Sequence, residues 1–174
     1  MGSSQITLRP VSSDDEPFLL EVYASTREQE LSLVDWSDAQ KRDFVCMQFT
    51  AQSRWYRENY PAAAFQIIEV NGQPAGRLYV EPRADDLRIM DISLLPAFCG
   101  QGTGTALLKE ILAEAQRAGK TASIHVECFN PALRLYERLG FRQRETNGMY
   151  HLLEWSPGSV AGACAAGDCR GVQS

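Results

Sequence analysis

One feature constrains this chain more than any other: a glycine-rich loop, Cys99-Gly100-Gln101-Gly102-Thr103-Gly104, set between a stretch of strand character and an amphipathic helix. Leu87 to Leu95 reads as a long strand stopped by Pro96. From about Gly102 to Ala118, Leu107, Leu108, Ile111, Leu112 and Ala115 recur at helical spacing, and Gly119 ends the run. A strand feeding a helix N-terminus through glycines makes an anion site. The first helical N–H groups have no intrahelical partner and the helix dipole favours negative charge. Glycines let the backbone approach a phosphate without side-chain clashes.

The loop alone does not name a ligand, and a glycine-rich connection that binds nothing explains it equally well. A Walker loop requires Lys followed by Ser or Thr after its last glycine, whereas Thr105-Ala106 follows Gly104. A dinucleotide fingerprint fits better, with Glu127 near the end of the next strand as a ribose-binding acid. Its last glycine would nevertheless fall one place early, on Gly104, and no second βαβ half is present.

The rest of the chain sets the fold class. Ile6 to Val11 is expected to be a first strand. Asp14-Asp15-Glu16-Pro17 stands as at a helix start, with Phe18, Leu19, Val22 and Tyr23 following at helical spacing. Residues 25–37 read as a polar connection, and Ser37 or Asp38 caps a second helix reaching about Asn59, whose widely spread apolar residues Phe44, Val45, Met47, Phe49, Trp55 and Tyr56 fit a helix that is broken or buried on more than one side. Phe65–Val70 and Ala75–Glu81 read as a hairpin around Asn71-Gly72. Thr121–Cys128 is a fifth strand. Pro131–Leu139 is a helix with Asn130 as N-cap, and Phe141–Glu145 and Met149–Trp155 are closing strands. The order βαα, three strands, then αβαββ predicts an α/β domain over residues 1–155. Its mixed sheet has six or seven strands and helices on both faces. Residues 156–174, rich in Gly, Ala and Ser, read as a poorly ordered tail.

Composition excludes several function classes. The chain has 174 residues, enough for one domain with a substantial core. A net charge of -5 argues against nucleic acid and anionic membranes as partners. No apolar run approaches the roughly 18 residues of a membrane-spanning helix, and the N-terminus lacks signal-peptide character. The five scattered cysteines include no Cys-x-x-Cys pair, so neither a disulfide framework nor a metal site is indicated. A reducing cytoplasm is the expected location.

Two segments together carry a resemblance. Leu94-Leu95-Pro96-Ala97-Phe98-Cys99-Gly100-Gln101-Gly102-Thr103-Gly104-Thr105-Ala106-Leu107-Leu108 resembles the acetyl-CoA motif of the GNAT superfamily, Gln/Arg-x-x-Gly-x-Gly/Ala, beginning at Cys99. Asn130-Pro131-Ala132-Leu133-Arg134-Leu135-Tyr136-Glu137-Arg138-Leu139-Gly140-Phe141 resembles the family's second signature, and Ile6-Thr7-Leu8-Arg9-Pro10 is a typical opening. The element order is similar from residue 6 to 155. This resemblance implies an N-acetyltransferase using acetyl-CoA, with direct attack by an amine in a ternary complex. The implied CoA contacts are the backbone of Leu94 and Leu95 for the pantetheine arm, N–H groups from Gly100 through Gln101, Gly102, Thr103 and Gly104 to Thr105 for the pyrophosphate, and Asn130 for the arm. Tyr136 would lie near the sulfur and protonate the leaving thiolate. Cys99 departs from the pattern, since the family usually has Gln or Arg there. The expected partners are a small-molecule or peptide amine acceptor and, optionally, a second copy in a homodimer. A non-catalytic acyl-CoA-binding module on the same fold is the rival.

The base is less legible. A lysine-like amine with pKa about 10.4 is neutral in only on the order of one molecule in a thousand at pH 7, so a proton acceptor is useful. Strand alternation puts Asp91 and Ser93 on one face of the fourth strand, opposite Met90, Ile92 and Leu94. It puts Ser123, His125 and Glu127 on one face of the fifth. If these faces coincide, Asp91, Ser93, His125 and Glu127 form one polar cluster. A satisfied hydrogen-bond network explains such a cluster as well as catalysis does. The order of preference for the base is Glu127, then Asp91, then His125. For Tyr136, packing against Ala132, Leu135 and Leu139 is the alternative role. Trp36, Trp55, Tyr56 and Tyr60 are expected in core or interface packing rather than in an acceptor pocket.

Overall fold

The computed structural model describes residues 2–158. Most of the proposed tail, residues 159–174, lies outside them. Seven strands form one mixed sheet: β1 (Ile6–Pro10), β2 (Ala64–Val70), β3 (Gln73–Pro82), β4 (Asp86–Leu94), β5 (Thr121–Glu127), β6 (Arg142–Asn147) and β7 (Tyr150–Trp155). Their order across the sheet is β1-β2-β3-β4-β5-β7-β6. Every neighbouring pair is antiparallel except β4 and β5, which are parallel because a helix crosses over between them.

Successive side chains of a strand face opposite ways, so Ile67 and Ile68, both fully buried, belong to two different cores. On one face, helices α1 (Glu16–Leu31) and α2 (Asp38–Asn59) pack Leu19, Tyr23, Val45 and Phe49 against Ile67 and Tyr79. On the other, α3 (Thr103–Ala118) buries Leu107, Leu108, Ile111, Leu112 and Ala115 over Leu78, Leu87, Ile89 and Ile124. The short α4 (Leu133–Arg138) joins this second core through Tyr136.

Local chemistry explains the boundaries. Ser37 caps α2, its Oγ accepting from the Gln40 N–H at 3.2 Å while Gln40 Oε1 accepts from the Ser37 N–H at 2.9 Å. Asn71 and Gly72 both have positive φ, 52° and 78°, as a tight hairpin between right-twisted strands requires. Arg9 clamps the chain start: it pairs with Asp15 at 2.8 Å and Glu69 at 2.7 Å, tying β1 to β2 and to the entry of α1.

Three details depart from the sequence reading. The segment expected to be a connection from residue 25 is helical as far as Leu31: Ala24 and Leu31 pack against the core beneath it, while Glu28 and Glu30 stay exposed. Ser25 and Thr26 return their hydroxyls to the carbonyls of Val22 and Tyr23. Helix α4 starts at Leu133 rather than Pro131; Asn130 Oδ1 accepts from the Ala132 N–H at 2.8 Å, forming a turn ahead of the helix. The β3–β4 register shifts where Tyr79 faces Asp91 and Val80 faces Ile89. The extra residue, Met90, packs toward α1 and α2, whereas Ile92 and Leu94 pack toward α3.

Candidate active site

The sheet opens at its centre. β4 and β5 pair only from Asp86↔Thr121 to Ile89↔Ile124. Beyond that point β4 runs on to Leu94 and β5 to Glu127, with no ladder between them. The far side of each strand stays paired: Leu94 faces Gly76 of β3, and Glu127 faces Tyr150 of β7. The outcome is a slot between two otherwise held strands, with one edge of backbone groups on β4 free to pair with an extended ligand.

The glycine loop closes the β4 end of this slot. Gly100 and Gly102 adopt φ of 74° and 83°, a left-handed conformation costly for residues with a Cβ. Gly102 is the N-cap of α3, and the first backbone bond into it runs from the Ala106 N–H to the Gly102 carbonyl at 2.9 Å. The N–H groups from Gly100 to Thr105 have no acceptor among the described residues. A Cβ at Gly100 or Gly102 would meet no protein atom within 4 Å, so the space over both is open. Cys99 is exposed, its Sγ 3.6 Å from the Leu94 carbonyl and 3.5 Å from that of Leu95. Leu95 itself is held from the β3 side, its N–H donating to the Ala75 carbonyl at 2.8 Å. These features suit an anionic group at the loop and an extended arm along β4. Two concavities lie elsewhere, about 400 Å³ under α3 by Leu8 and Val80 and about 750 Å³ between α1 and α2 by Leu20 and Val45.

Tyr136 comes up from the α3 side. It is 4% exposed and packs edge-on against Phe141, ring centroids 5.5 Å apart. Burial, reinforced by the negative charge of Asp91, pushes its hydroxyl up to about 12. Asp91 belongs to the opposite face of the sheet. Asn130 follows β5 at the same end, its N–H donating to the Glu127 carbonyl.

The four polar residues expected to cluster share the α1/α2 face, but they do not form one group. Asp91 accepts from Arg77 Nη2 at 2.5 Å and from Ser93 Oγ at 2.6 Å. His125 is paired with Arg88, whose Nη1 donates to its Nδ1 at 2.6 Å; this requires the ring proton on Nε2. Burial and the Arg88 charge both push the His125 pKa below its ordinary value. Glu127 stands apart, with Arg27 of α1 4.0 Å away.

The three arginines are the residues the sequence reading missed. Arg77 is 2% exposed, donates to Gln52 at 3.1 Å, and stacks over Tyr79 at 5.1 Å and Tyr23 at 5.9 Å. The signal available was an arginine sharing a face with Tyr79 on a strand otherwise rich in buried residues. Its partner depended on a register broken by the bulge at Met90.

A seven-stranded mixed sheet that splits at its centre, with a bare helix N-terminus at the mouth of the split and helices on both faces, defines the fold class as α/β. The comparisons with known proteins identify the class more closely. A model of the acetyltransferase (GNAT) family matches residues 29–141, and the chain belongs to that family. An uncharacterized N-acetyltransferase of Methanocaldococcus jannaschii is 30% identical over 105 residues, covering 53% of this chain and 46% of that protein. The match thus spans about half the length of that relative. Among solved structures, the PaiA N-acetyltransferase of Thermoplasma acidophilum in complex with coenzyme A aligns with a TM-score of 0.67 at 17% identity, over 87% of this chain and 99% of that one. A GNAT family acetyltransferase from Elizabethkingia anophelis with acetyl-CoA bound aligns with a TM-score of 0.57 at 18% identity, over 87% and 97%. At these identities the likeness is one of fold.

Proposed function

We propose that the chain transfers an acetyl group from acetyl-CoA to a primary amine by direct attack in a ternary complex. The observation that carries this reading is the continuity of the slot: a free β4 edge leading to six unpaired N–H groups from Gly100 to Thr105. Acetyl-CoA supplies the reactive thioester. The backbone of Leu94 and Leu95 would hold its arm, the loop its pyrophosphate, and Asn130 the inner part of the arm.

In the reaction the amine nitrogen bonds to the acetyl carbon and the carbon–sulfur bond breaks. A proton leaves the nitrogen, and the departing sulfur needs a donor. A phenol near 12 is a weaker acid than an ordinary thiol of about 8.5. Tyr136 therefore serves by donating a hydrogen bond to the thiolate rather than by surrendering its proton outright. Glu127 and Asp91 are the candidate acceptors for the amine proton. Glu127 leads, because Asp91 already has both oxygens engaged by Arg77 and Ser93. We assign the reaction to the cytoplasm, where thiols such as Cys99 stay reduced.

A non-catalytic acyl-CoA-binding module is the second reading. It is favoured by the arginine standing beside each candidate base. The test is incubation of the full chain with acetyl-CoA and a panel of primary amines, with mass detection of product. An acetylated amine is expected. Tyr136→Phe should then lower kcat by about 10- to 100-fold with little change in CoA affinity, and Glu127→Gln should lower kcat more than it weakens CoA binding. Because the Tyr136 hydroxyl stays protonated up to about 12, the pH profile of kcat should show no falling limb from this group below about pH 11. CoA binding without product from any amine would support the second reading.

A further inference from the structure

Helix α2 carries a largely exposed apolar ridge, on which Trp36 packs at the Phe44 end and Tyr60 at the Trp55 end. Val45 and Phe49 point into the core and are buried. At about 100° per residue, Phe44, Met47, Ala51 and Trp55 fall within roughly 80° of one another, away from that buried face. Met47 is 62% exposed, Trp55 51% and Trp36 42%. Ala51 is exposed as well, while Phe44 is half-buried with the Trp36 ring edge-on at 5.2 Å. Isolated exposed apolar residues are ordinary, but a continuous row over three turns marks a contact surface. Asp43 and Arg54, both exposed, lie on one flank of the ridge. Among the described residues neither makes an ion pair or a side-chain hydrogen bond, in contrast to Arg9, Arg27 and Arg77.

We propose that this ridge is a homodimer interface in which α2 packs antiparallel on α2 of a second copy, about a twofold axis at the level of Phe49. Such an axis puts Met47 opposite the partner's Ala51, Phe44 opposite the partner's Trp55, and Asp43 opposite the partner's Arg54, each contact occurring twice. The axis runs across the helices, so a residue on one flank meets residues of the same flank. Asp43 and Arg54 satisfy that condition. The surface is therefore self-complementary in both apolar shape and charge. A parallel arrangement, with its axis along the helices, would bring each flank against the opposite flank and keep Asp43 and Arg54 from meeting, and a partner of uniform charge would repel one of the two flank residues. The small side chain of Ala51 lets the helices approach to the usual 8–10 Å or so. None of this depends on the acyl-transfer reading, because no residue of the ridge belongs to the β4–β5 slot.

Sedimentation or light scattering of the full chain, over roughly 1–100 µM, tests the proposal. Wild type should have twice the chain mass of 19.4 kDa. Met47→Glu should give a monomer with unchanged circular dichroism, since this position is not in the core. Asp43→Arg places two arginines together and should raise the dimer dissociation constant by about tenfold or more. Adding Arg54→Asp to that variant should bring it back to within about threefold of wild type, because the reversed pair is again complementary. A wild-type chain that remains monomeric overturns the proposal. So does a dimer that Met47→Glu leaves intact, which would place the interface elsewhere. Failure of the double swap to restore association would overturn the antiparallel pairing.

Discussion

Two glycines illustrate how the same residue type answers to different physics. Gly102 sits at φ 83° with open space where a Cβ would project, while a Cβ at Gly76 would lie 2.1 Å from the Ser93 carbonyl oxygen. Gly102→Ala should cost about 1–2 kcal/mol of backbone strain and put a methyl group into the proposed pyrophosphate cradle. Gly76→Ala forces β3 and β4 apart beneath the slot. The first variant should lose CoA affinity out of proportion to its loss of thermal stability, and the second should lose mainly stability. Parallel calorimetric titration and thermal unfolding check this; an unchanged CoA affinity in Gly102→Ala would remove the loop from the binding site. That Gly102 leaves room for a close approach to the backbone was legible from its place between a strand and a helix start; its left-handed φ was not. The need for glycine at position 76 was not, because it depends on the carbonyl of a strand distant in sequence.

Between elements, the decisive interaction is the one that joins β3, β4 and α2 under the site. Arg77 is buried and its partner Asp91 half-buried, with Gln52 and Ser93 completing the set. Removing one member of a buried ion pair leaves an uncompensated charge, typically a loss of about 3–5 kcal/mol. Arg77→Met should show a loss of that order in denaturant unfolding. Arg77→Met combined with Asp91→Leu should recover much of it, since burying two apolar groups leaves no orphaned charge. If the single variant is as stable as wild type, the pair is not the strut this geometry indicates. The elements themselves were largely readable: α3 from its apolar spacing and closing glycine, the start of α2 from its cap, and the β2–β3 hairpin from Asn71-Gly72, whereas the widely spread apolar residues of α2 left its continuity open. The end of α1 was not, because Ser25 to Leu31 is polar enough to read as loop and is helical only because one side of it rests on α2 and the sheet.

At the level of the whole molecule, the chain is a single sheet divided into a four-stranded and a three-stranded part that share only the short Asp86–Ile89 ladder with Thr121–Ile124. A ligand lying in the slot would bridge the two parts and so couple to global stability. At a concentration about 100 times its Kd, such a ligand stabilises the folded state by about 2.7 kcal/mol. For a domain of this size that corresponds to a rise in Tm of roughly 5–10 °C. Acetyl-CoA should produce such a shift, with amide-exchange protection concentrated at residues 90–95 and 100–106. NADH at equal concentration should produce neither. A shift with NADH alone would return the loop to the dinucleotide reading. No helix among the described residues is long and apolar enough to cross a membrane, and among them no group of His, Cys, Asp or Glu is arranged to hold a metal ion.

Local sequence determined whatever depends on nearest neighbours along the chain. The anion-binding loop between strand and helix, the hairpin turn, the capped helices and the two family motifs all draw on interactions within a few residues. Their order along the chain was enough to indicate a mixed sheet with helices on both faces. Tertiary structure alone decided which side chains meet. The β-bulge at Met90 shifts one strand's alternation, the β4–β5 ladder stops after Ile89, and three arginines from β3, β4 and α1 divide an expected cluster into separate pairs. Each of these rests on strand register and on how far two strands remain together. Those quantities are set by packing on both faces of the sheet at once, and no short stretch of residues encodes them.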